Sequence, residues 1–159
     1  MSEAGPRVFL DTNVLFSGIY SRSGTPARLL GAASREYDAV ISAAVVDELT
    51  RNISLKAPAL LPDLVAFILA TPLTIIANPP PNTVEPWLAA GLAEDAMIVA
   101  AAVQAEVDYF CTGDAALLRS LATHEMPFRV RRPTELLAII SLSGLPASRR
   151  CTRTASWSC

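Results

Sequence analysis

The sequence predicts an α/β fold in three layers, with helices on both faces of a mainly parallel central sheet. Short apolar stretches typical of buried strands alternate along the chain with longer stretches of helical periodicity. Only 6% of the residues are aromatic, whereas Ala, Leu and Val are abundant, which favours helices packed on a sheet. At 159 residues the chain has the length of one domain with a single core.

Each predicted element rests on its own local pattern. The apolar runs predict strands over residues 7–10, 39–42, 73–77, 109–112 and 128–130. Helical periodicity predicts helices over residues 12–18, 25–35, 43–52, 58–70, 93–106 and 115–123, and a last one after Pro133. Thr25 is the predicted N-cap of the second helix, with Pro26 at its first position, and Ser42 is the predicted N-cap of the third.

Two segments are predicted to lie outside this alternation. Residues 78–82, Asn-Pro-Pro-Pro-Asn, form a stiff connector that continues neither a helix nor a strand. Residues 141–159 are rich in Ser, Arg and Thr without apolar periodicity, and they are predicted to be a disordered tail. The predicted domain therefore covers residues 1–140.

Several classes of protein are disfavoured by simple patterns. The longest charge-free apolar stretch, residues 64–77, is interrupted by Pro72 and is shorter than the roughly 18 to 20 residues that a bilayer span needs. The apolar run after Arg7 ends at Asp11, so no secretory signal is predicted. The three cysteines are an odd number without zinc-type spacing, which argues against a disulfide framework. We therefore expect a cytoplasmic protein with no membrane partner.

The predicted domain is acidic. Residues 1–140 carry ten basic and fifteen acidic side chains, a net charge of −5, and the remaining residues add +3. This balance disfavours a protein that grips nucleic acid over a wide basic surface. A site in which metal ions neutralise acidic side chains removes that objection.

Two acidic residues follow predicted strands directly, at the edge of a parallel sheet where ligands gather. Asp11 comes after the first strand, and Asp114 comes shortly after the strand that ends at Thr112. Each of these acids can also cap the following helix, a role worth about 0.5 to 2 kcal/mol. Position alone leaves both roles open for both residues.

Further acids lie on predicted helices. Asp95 shares a helical face with Ile98 and Val99, so its carboxylate is expected to point toward the core, and a functional role explains that orientation better than the helix dipole does. Asp47 and Glu48 are adjacent on another helix, and periodicity does not decide which of the two points outward.

Carboxylates gathered at one edge of a sheet repel one another unless cations lie between them. Hard ions such as Mg²⁺ and Mn²⁺ prefer carboxylate oxygens and water, whereas Zn²⁺ usually recruits Cys or His. The chain contains a single histidine, His124, which disfavours both zinc and histidine-based catalysis. One or two hard ions can activate a water molecule, orient it toward a phosphodiester and neutralise the leaving oxygen without a protein nucleophile.

The motifs around these acids resemble those of the PIN domain family. Residues 11–14, Asp-Thr-Asn-Val, are similar to the family's opening strand and turn, and residues 42–48 resemble its second acidic segment. Residues 95–100, Asp-Ala-Met-Ile-Val-Ala, resemble the third segment, and residues 112–114, Thr-Gly-Asp, resemble the fourth. The four motifs occur in the family's order over about residues 7–140.

The resemblance implies a PIN-like fold and a metal-dependent endoribonuclease that hydrolyses phosphodiester bonds in RNA. By resemblance, one or two Mg²⁺ or Mn²⁺ ions are bound by the four catalytic acids, which are Asp11, Glu48, Asp95 and Asp114. This assignment selects Glu48 over Asp47. The side chains that would orient ligands, water or phosphate around the ions are Thr12, Asn13 and Thr112.

The same resemblance implies a biological setting. Many bacterial PIN proteins of this size resemble the VapC-type toxins of VapBC toxin–antitoxin pairs. In such pairs a small antitoxin protein holds the ribonuclease inactive, and the toxin is commonly a dimer. We therefore expect an RNA substrate, an antitoxin partner and a homodimer.

Two other functions stay open. A degenerate PIN module would bind RNA or protein without catalysis, with its acids serving as helix caps and solvated side chains. The presence of all four acids counts against it. A haloacid dehalogenase-like phosphatase also begins with an acid after a strand, but it needs a second Asp two positions after Asp11 as acid and base, and this sequence has Asn13 there.

Overall fold

The computed structural model describes residues 5–143 and contains one five-stranded sheet. Its strands are β1 (Arg7–Leu10), β2 (Asp38–Ser42), β3 (Leu73–Ile76), β4 (Tyr109–Cys111) and β5 (Arg129–Arg131). They lie in the order β3-β2-β1-β4-β5, and every neighbouring pair is parallel. The prediction of a mainly parallel sheet is confirmed.

Eight α-helices flank the sheet within the described residues. They are α1 (Thr12–Tyr20), α2 (Thr25–Gly31), α3 (Ala43–Lys56), α4 (Leu61–Ala70), α5 (Pro81–Ala89), α6 (Ala96–Gln104), α7 (Ala115–Ala122) and α8 (Pro133–Ser143). Short 3₁₀ turns at Pro58–Leu60 and Ala93–Asp95 lead into α4 and α6. Over residues 5–143, no helix has the length and apolar character that crossing a bilayer requires.

The core lies on both faces of the central strands. Val8, Phe9 and Leu10 of β1 are completely buried, as expected for a strand covered by helices on both faces. Phe9 stacks on Phe110 of β4, with 5.5 Å between the ring centroids. Cys111 of β4 is also fully buried and belongs to the core. Because β1 is in the middle of the sheet, its carboxyl end is held by packing on every side.

The helix caps agree with the sequence in one of the two assigned cases. The side chain of Ser42 accepts a hydrogen bond from the Val45 N–H at 3.4 Å, so its predicted capping role is confirmed. The prediction for Thr25 was wrong, because Gly24 is the N-cap and Thr25 is already helical. A Gly at this position makes no side-chain cap, so sequence rules that seek a Ser or Thr oxygen pass over it.

The connector at residues 78–82 is not an element-free spacer. Helix α5 begins at Pro81, because a proline has no N–H to satisfy at the start of a helix and its fixed φ suits that position. Asn78 is fastened to the third helix, since its Oδ1 accepts a hydrogen bond from the Ala44 N–H at 2.8 Å. The sequence interpretation therefore missed α5.

The predicted boundary at residue 140 falls inside α8, which continues to Ser143. The rest of the predicted tail, residues 144–159, lies outside the described residues, and its disorder stays a prediction.

Candidate active site

The topology of the sheet opens a crevice beside β1. The chain passes from β1 to β2 and β3 on one side and then crosses to β4 on the other side. Loops that follow neighbouring parallel strands diverge at such a switch point and leave room for a ligand. Asp11 follows β1, and its N–H donates to the carbonyl oxygen of Cys111 at 3.0 Å. The loops after β1 and β4 therefore meet at one edge of the sheet.

Asp11 is held in one orientation by its neighbours. Its side chain is only 6% exposed. Its Oδ1 accepts a hydrogen bond from the Thr12 N–H at 2.7 Å, which caps α1. Its Oδ2 accepts from Thr112 Oγ1 at 2.7 Å and from Asn13 Nδ2 at 3.0 Å. Three donors thus fix this carboxylate at the bottom of the crevice.

Thr112 and Asn13 tie the two loops together. The Oγ1 of Thr112, which is fully buried, also accepts hydrogen bonds from Asn13 Nδ2 at 3.2 Å and from the Asp114 N–H at 3.1 Å. The Oδ1 of Asn13 accepts from the Gly113 N–H at 3.0 Å. Both residues therefore set the position of the acids on either side of them. At Asn13 this amide role replaces the proton-transfer role that a phosphatase would require.

Asp114 both caps a helix and lines the crevice. Its Oδ1 accepts from the Ala116 N–H at 2.8 Å and the Leu117 N–H at 3.2 Å, so the predicted capping role is confirmed. The cap uses only this one carboxylate oxygen. Asp114 is exposed and lines the same cleft as Asp11. Its Oδ2 takes no part in the cap, so capping α7 does not prevent this oxygen from binding a ligand in the cleft.

Glu48 and its neighbour Asp47 are both exposed, but only Glu48 lines the cleft that contains Asp11. The Oε2 of Glu48 accepts a hydrogen bond from Thr12 Oγ1 at 2.9 Å, which brings it to the cleft that contains Asp11. Asp47 does not line that cleft, but it lines an adjoining depression together with Glu48 and Asp95. The structure thus separates two acids that periodicity could not.

Asp95 is half-buried at the end of the 3₁₀ turn before α6. The sequence predicted a continuous helix over residues 93–106, whereas the α-helix begins at Ala96. Ile98 and Val99, its predicted companions on the inward face, are buried as expected. Asp95 itself reaches the cleft from the edge of the core rather than from inside it.

All four acids line one cleft of about 230 Å³. Thr12 and Asn13 also line it. Four further residues in the lining were not singled out from the sequence, namely Phe16, Ser17, Asn52 and Lys56. A signal existed for two of them, since Glu48, Asn52 and Lys56 are spaced at four-residue intervals along one face of α3.

The pKa values of Asp11 and Asp95 are both raised. Burial is the main reason that the pKa of Asp11 rises from its usual 3.8 to about 6, and hydrogen bonds from Thr112 and Thr12 only partly oppose the rise. The charges of Asp95 and Glu48 add to it. The pKa of Asp95 is also raised, first by partial burial and then by the nearby charge of Asp114. The cleft is therefore short of positive charge.

Protein cations do not make up that deficit. Among residues 5–143 the side-chain ion pairs are Arg7 with Asp38 and Arg22 with Asp63, both at 2.9 Å. Neither pair includes an acid of the cleft. Lys56 lines the cleft but has its ammonium group over the ring of Phe16.

The cleft suits a hard divalent ion, because its described lining offers carboxylate, hydroxyl and amide oxygens and contains neither His nor Cys. The side chains do not yet form a closed shell. Within the described part of the chain, no group of three or more Asp, Glu, His or Cys side chains is arranged so that it could hold a metal ion. Glu48 and Asp114 are exposed, which leaves their side chains room to move toward an ion.

The raised pKa of Asp11 predicts how metal-free protein responds to pH. Between the unfolded pKa of 3.8 and the folded pKa of about 6, the native state keeps a proton that the unfolded chain has lost. The free energy of unfolding should therefore fall as pH rises through this window, by about 3 kcal/mol from this one group. Urea unfolding in EDTA at pH 4 and pH 7 measures the effect. It should shrink in Asp11→Asn, and an unchanged pH dependence there would contradict the assignment.

A parallel α/β sheet with acids gathered at its switch point defines a three-layer domain with an acidic cleft. The sequence profile of the PIN domain matches residues 7–116, which include all four acids and most of the sheet. The chain belongs to the PIN domain family. No curated protein sequence matches it.

Solved structures share the fold at low sequence identity. VapBC2 from Rickettsia felis, bound to a DNA fragment from its promoter, is 17% identical with a TM-score of 0.59, over 79% of this chain and 98% of that chain. FitAcB from Neisseria gonorrhoeae is 20% identical with a TM-score of 0.57, over 80% and 98%. VapC20 from Mycobacterium tuberculosis, a sarcin-ricin loop cleaving toxin, is 15% identical with a TM-score of 0.55, over 77% and 98%.

Proposed function

We propose that this chain is a metal-dependent endoribonuclease that hydrolyses RNA phosphodiester bonds. One observation carries the proposal, which is that four acids from separate segments line a single cleft and that, over residues 5–143, none of them is in an ion pair. The proposed metal-binding and catalytic residues are Asp11, Glu48, Asp95 and Asp114. The proposed ions are Mg²⁺ or Mn²⁺, one or two of them, because only oxygen donors are offered.

The protein's own groups have distinct parts in this proposal. When bound, the ion supplies an activated water and neutralises charge on the phosphate. Asp11 provides a carboxylate already fixed by three hydrogen bonds, so little ordering remains when an ion arrives. Thr112 and Asn13 maintain that orientation, and Thr12 steers Glu48 toward the same point. Preorganised groups of this kind avoid reorganisation at the moment of reaction.

We also propose that the protein is the toxin of a toxin–antitoxin pair, acting in the cytoplasm as a homodimer with a small antitoxin partner. The support is the PIN family match and the shared fold with VapC20, VapBC2 and the Fit complex. Induced expression in a bacterial host should arrest growth, and co-expression of the correct antitoxin should restore it. Light scattering should give twice the chain mass of 16.9 kDa.

Incubation with a total RNA pool tests the nuclease proposal. We expect discrete RNA fragments with millimolar Mg²⁺ or Mn²⁺, none with EDTA, and restored cleavage when excess metal is added back. A matched pool of single-stranded DNA serves as the control for substrate class. Intact RNA under every metal condition would contradict the proposal.

Glu48→Gln tests the choice between adjacent acids. Removing this charge should lower RNA cleavage on the order of tenfold, because an exposed ligand can be partly replaced by water. Asp47→Asn is the matched control, since it removes the same charge from an adjacent residue that does not line the cleft containing Asp11. Equal losses in both variants would show a general charge effect and would remove Glu48 from the site.

Metal binding should also stabilise the fold. A divalent ion that relieves repulsion among the four acids binds only the native state, so at a hundredfold excess over Kd it should add about 2.7 kcal/mol to the free energy of unfolding. Thermal unfolding scans with and without about 5–10 mM Mn²⁺ measure this stabilisation, because a concentration of this order exceeds the Kd of a weak site. A melting temperature that ignores the metal would count against a shared site.

The second candidate is a PIN module that binds RNA or protein without catalysis. One observation favours it, namely that the described side chains do not form a metal shell as they stand. It predicts RNA binding that is insensitive to EDTA and no cleavage products. A phosphatase function has less support, because Asn13 is engaged as a bridging amide.

A further inference from the structure

An exposed aromatic pair lies beside the acidic cleft. Phe16 and Tyr20 are one turn apart on α1, with ring centroids 5.9 Å apart and ring planes within 12° of parallel. Phe16 is half-buried and lines the cleft, whereas Tyr20 is 66% exposed. The two rings are therefore neighbours in nearly parallel orientation, and most of the Tyr20 side chain is open to solvent.

The positively charged side chain of Lys56 lies beside this aromatic pair, at the entrance of the cleft. Lys56 is the only lysine in the chain. It lines the cleft, and its Nζ lies 5.7 Å from the centroid of the Phe16 ring. A nucleic-acid backbone approaching four acids meets repulsion, so a positive group at the entrance favours the approach of phosphate. The entrance of the cleft thus offers an exposed aromatic ring and a positive charge next to each other.

Resting on the proposed nuclease function, we propose that Phe16, Tyr20 and Lys56 form a subsite for single-stranded RNA. In this subsite Tyr20 stacks on a nucleobase outside the cleft, at a distance from the scissile phosphate, and Lys56, which lines the cleft, contacts a backbone phosphate. The Tyr20 end of α1 is about 13 Å along the helix axis from Asp11, so the occupant extends away from the acids as a strand does. Aromatic rings stack on unpaired bases of any sequence. The bases of a duplex are already stacked on one another, so they are not available for this contact.

Tyr20→Leu tests the stacking contact, with Tyr20→Phe as the conservative rescue. On a fluorescent 12-nucleotide single-stranded RNA of mixed sequence, Tyr20→Leu should raise KM about tenfold with a much smaller change in kcat, and Tyr20→Phe should restore KM. Lys56→Met should raise KM and reduce its salt dependence. Arg35→Met is the charge control, because Arg35 precedes β2 at the opposite edge of the sheet. KM unchanged in Tyr20→Leu and Lys56→Met would overturn the proposal.

Equilibrium binding separates this proposal from the nuclease proposal. Fluorescence anisotropy of the same RNA in EDTA needs no cleavage, and Tyr20→Leu should weaken Kd about tenfold even if the wild type cuts nothing. An oligonucleotide with the same backbone but no bases should bind both proteins equally. If the wild type cleaves RNA and Tyr20→Leu has the same KM and Kd as the wild type, the nuclease proposal is supported and the subsite is rejected. Loss of binding to a partner protein alone would also reject it, since the aromatic pair would then be a protein interface.

Discussion

Asp11→Asn is expected to reduce RNA cleavage by about 10³-fold or more, a loss on the order of 4 kcal/mol in transition-state stabilisation. Asp11 is the most buried of the four acids and the one fixed by the most hydrogen bonds. The Asn side chain carries no negative charge for a metal ion. It also accepts fewer hydrogen bonds than a carboxylate, so the donors from Thr12, Asn13 and Thr112 are satisfied less well. Initial cleavage rates with saturating Mn²⁺ measure the effect.

A control variant must show that this loss does not reflect misfolding or a lower net negative charge. Glu36→Gln removes an exposed acid just before β2, at the amino end of the sheet, away from the cleft. It should retain full activity, and circular dichroism should show that Asp11→Asn remains folded. Activity in Asp11→Asn within a few-fold of wild type would place the reaction elsewhere.

Asp114→Asn should produce the second largest effect, about 10²-fold or more in cleavage rate, or on the order of 3 kcal/mol. Asn can still accept the two backbone N–H bonds at the start of α7, so the cap survives. Removing one charge from a crowded acidic cleft should leave metal-free protein as stable as the wild type or more stable. Stability and activity should therefore move apart.

Asp114→Ala is the matched variant, because it removes both the cap and the carboxylate. It should lose the same activity and also about 0.5 to 2 kcal/mol of stability. Comparing urea midpoints of the two variants isolates the cap, and comparing their rates with wild type isolates the charge. Full cleavage by well-folded Asp114→Asn would leave Asp114 as a helix cap alone.

The sheet was predictable because its strands carry a strong local signal. Each predicted strand differs from the observed one by one residue or less at either end, for example 39–42 against Asp38–Ser42. Buried parallel strands need apolar residues on both faces, so the run of apolar letters itself marks them. The alternation of strands and helices predicted a ligand site beyond the carboxyl ends of the strands, whereas the strand order that places the switch point beside β1 was not predicted.

The missed features depend on interactions that local patterns do not contain. Helix α5 starts at Pro81, the last of three consecutive prolines. Sequence rules treat a proline as a helix breaker unless the start of the helix is already known. Residues 91–93 include Gly91 at φ 90° and Ala93 at φ 43°, a left-handed turn that delays α6 and brings Asp95 to the edge of the core. Such a turn leaves no mark in the hydrophobic periodicity of residues 93–106, so the sequence did not predict where α6 begins.

The four acids were found in order along the chain, but their shared cleft rests on contacts between distant segments. The family resemblance selected Glu48 over Asp47, whereas periodicity left the choice open, and the hydrogen bond that brings Glu48 to the cleft comes from Thr12, 36 residues away in sequence. Phe16 and Tyr20 repeat at a helical interval that is equally typical of a core stripe, so their exposure became visible only in three dimensions.

Calorimetric titration with Mn²⁺ tests most directly whether the four acids form one metal site. The wild type should bind one or two ions, and each of Asp11→Asn, Glu48→Gln, Asp95→Asn and Asp114→Asn should weaken that binding. Loss of one charged ligand should reduce the affinity by about tenfold or more, whereas Asp47→Asn and Glu36→Gln should bind as the wild type does. Absence of Mn²⁺ binding to the wild type, or equal affinity in all six variants, would contradict the shared site.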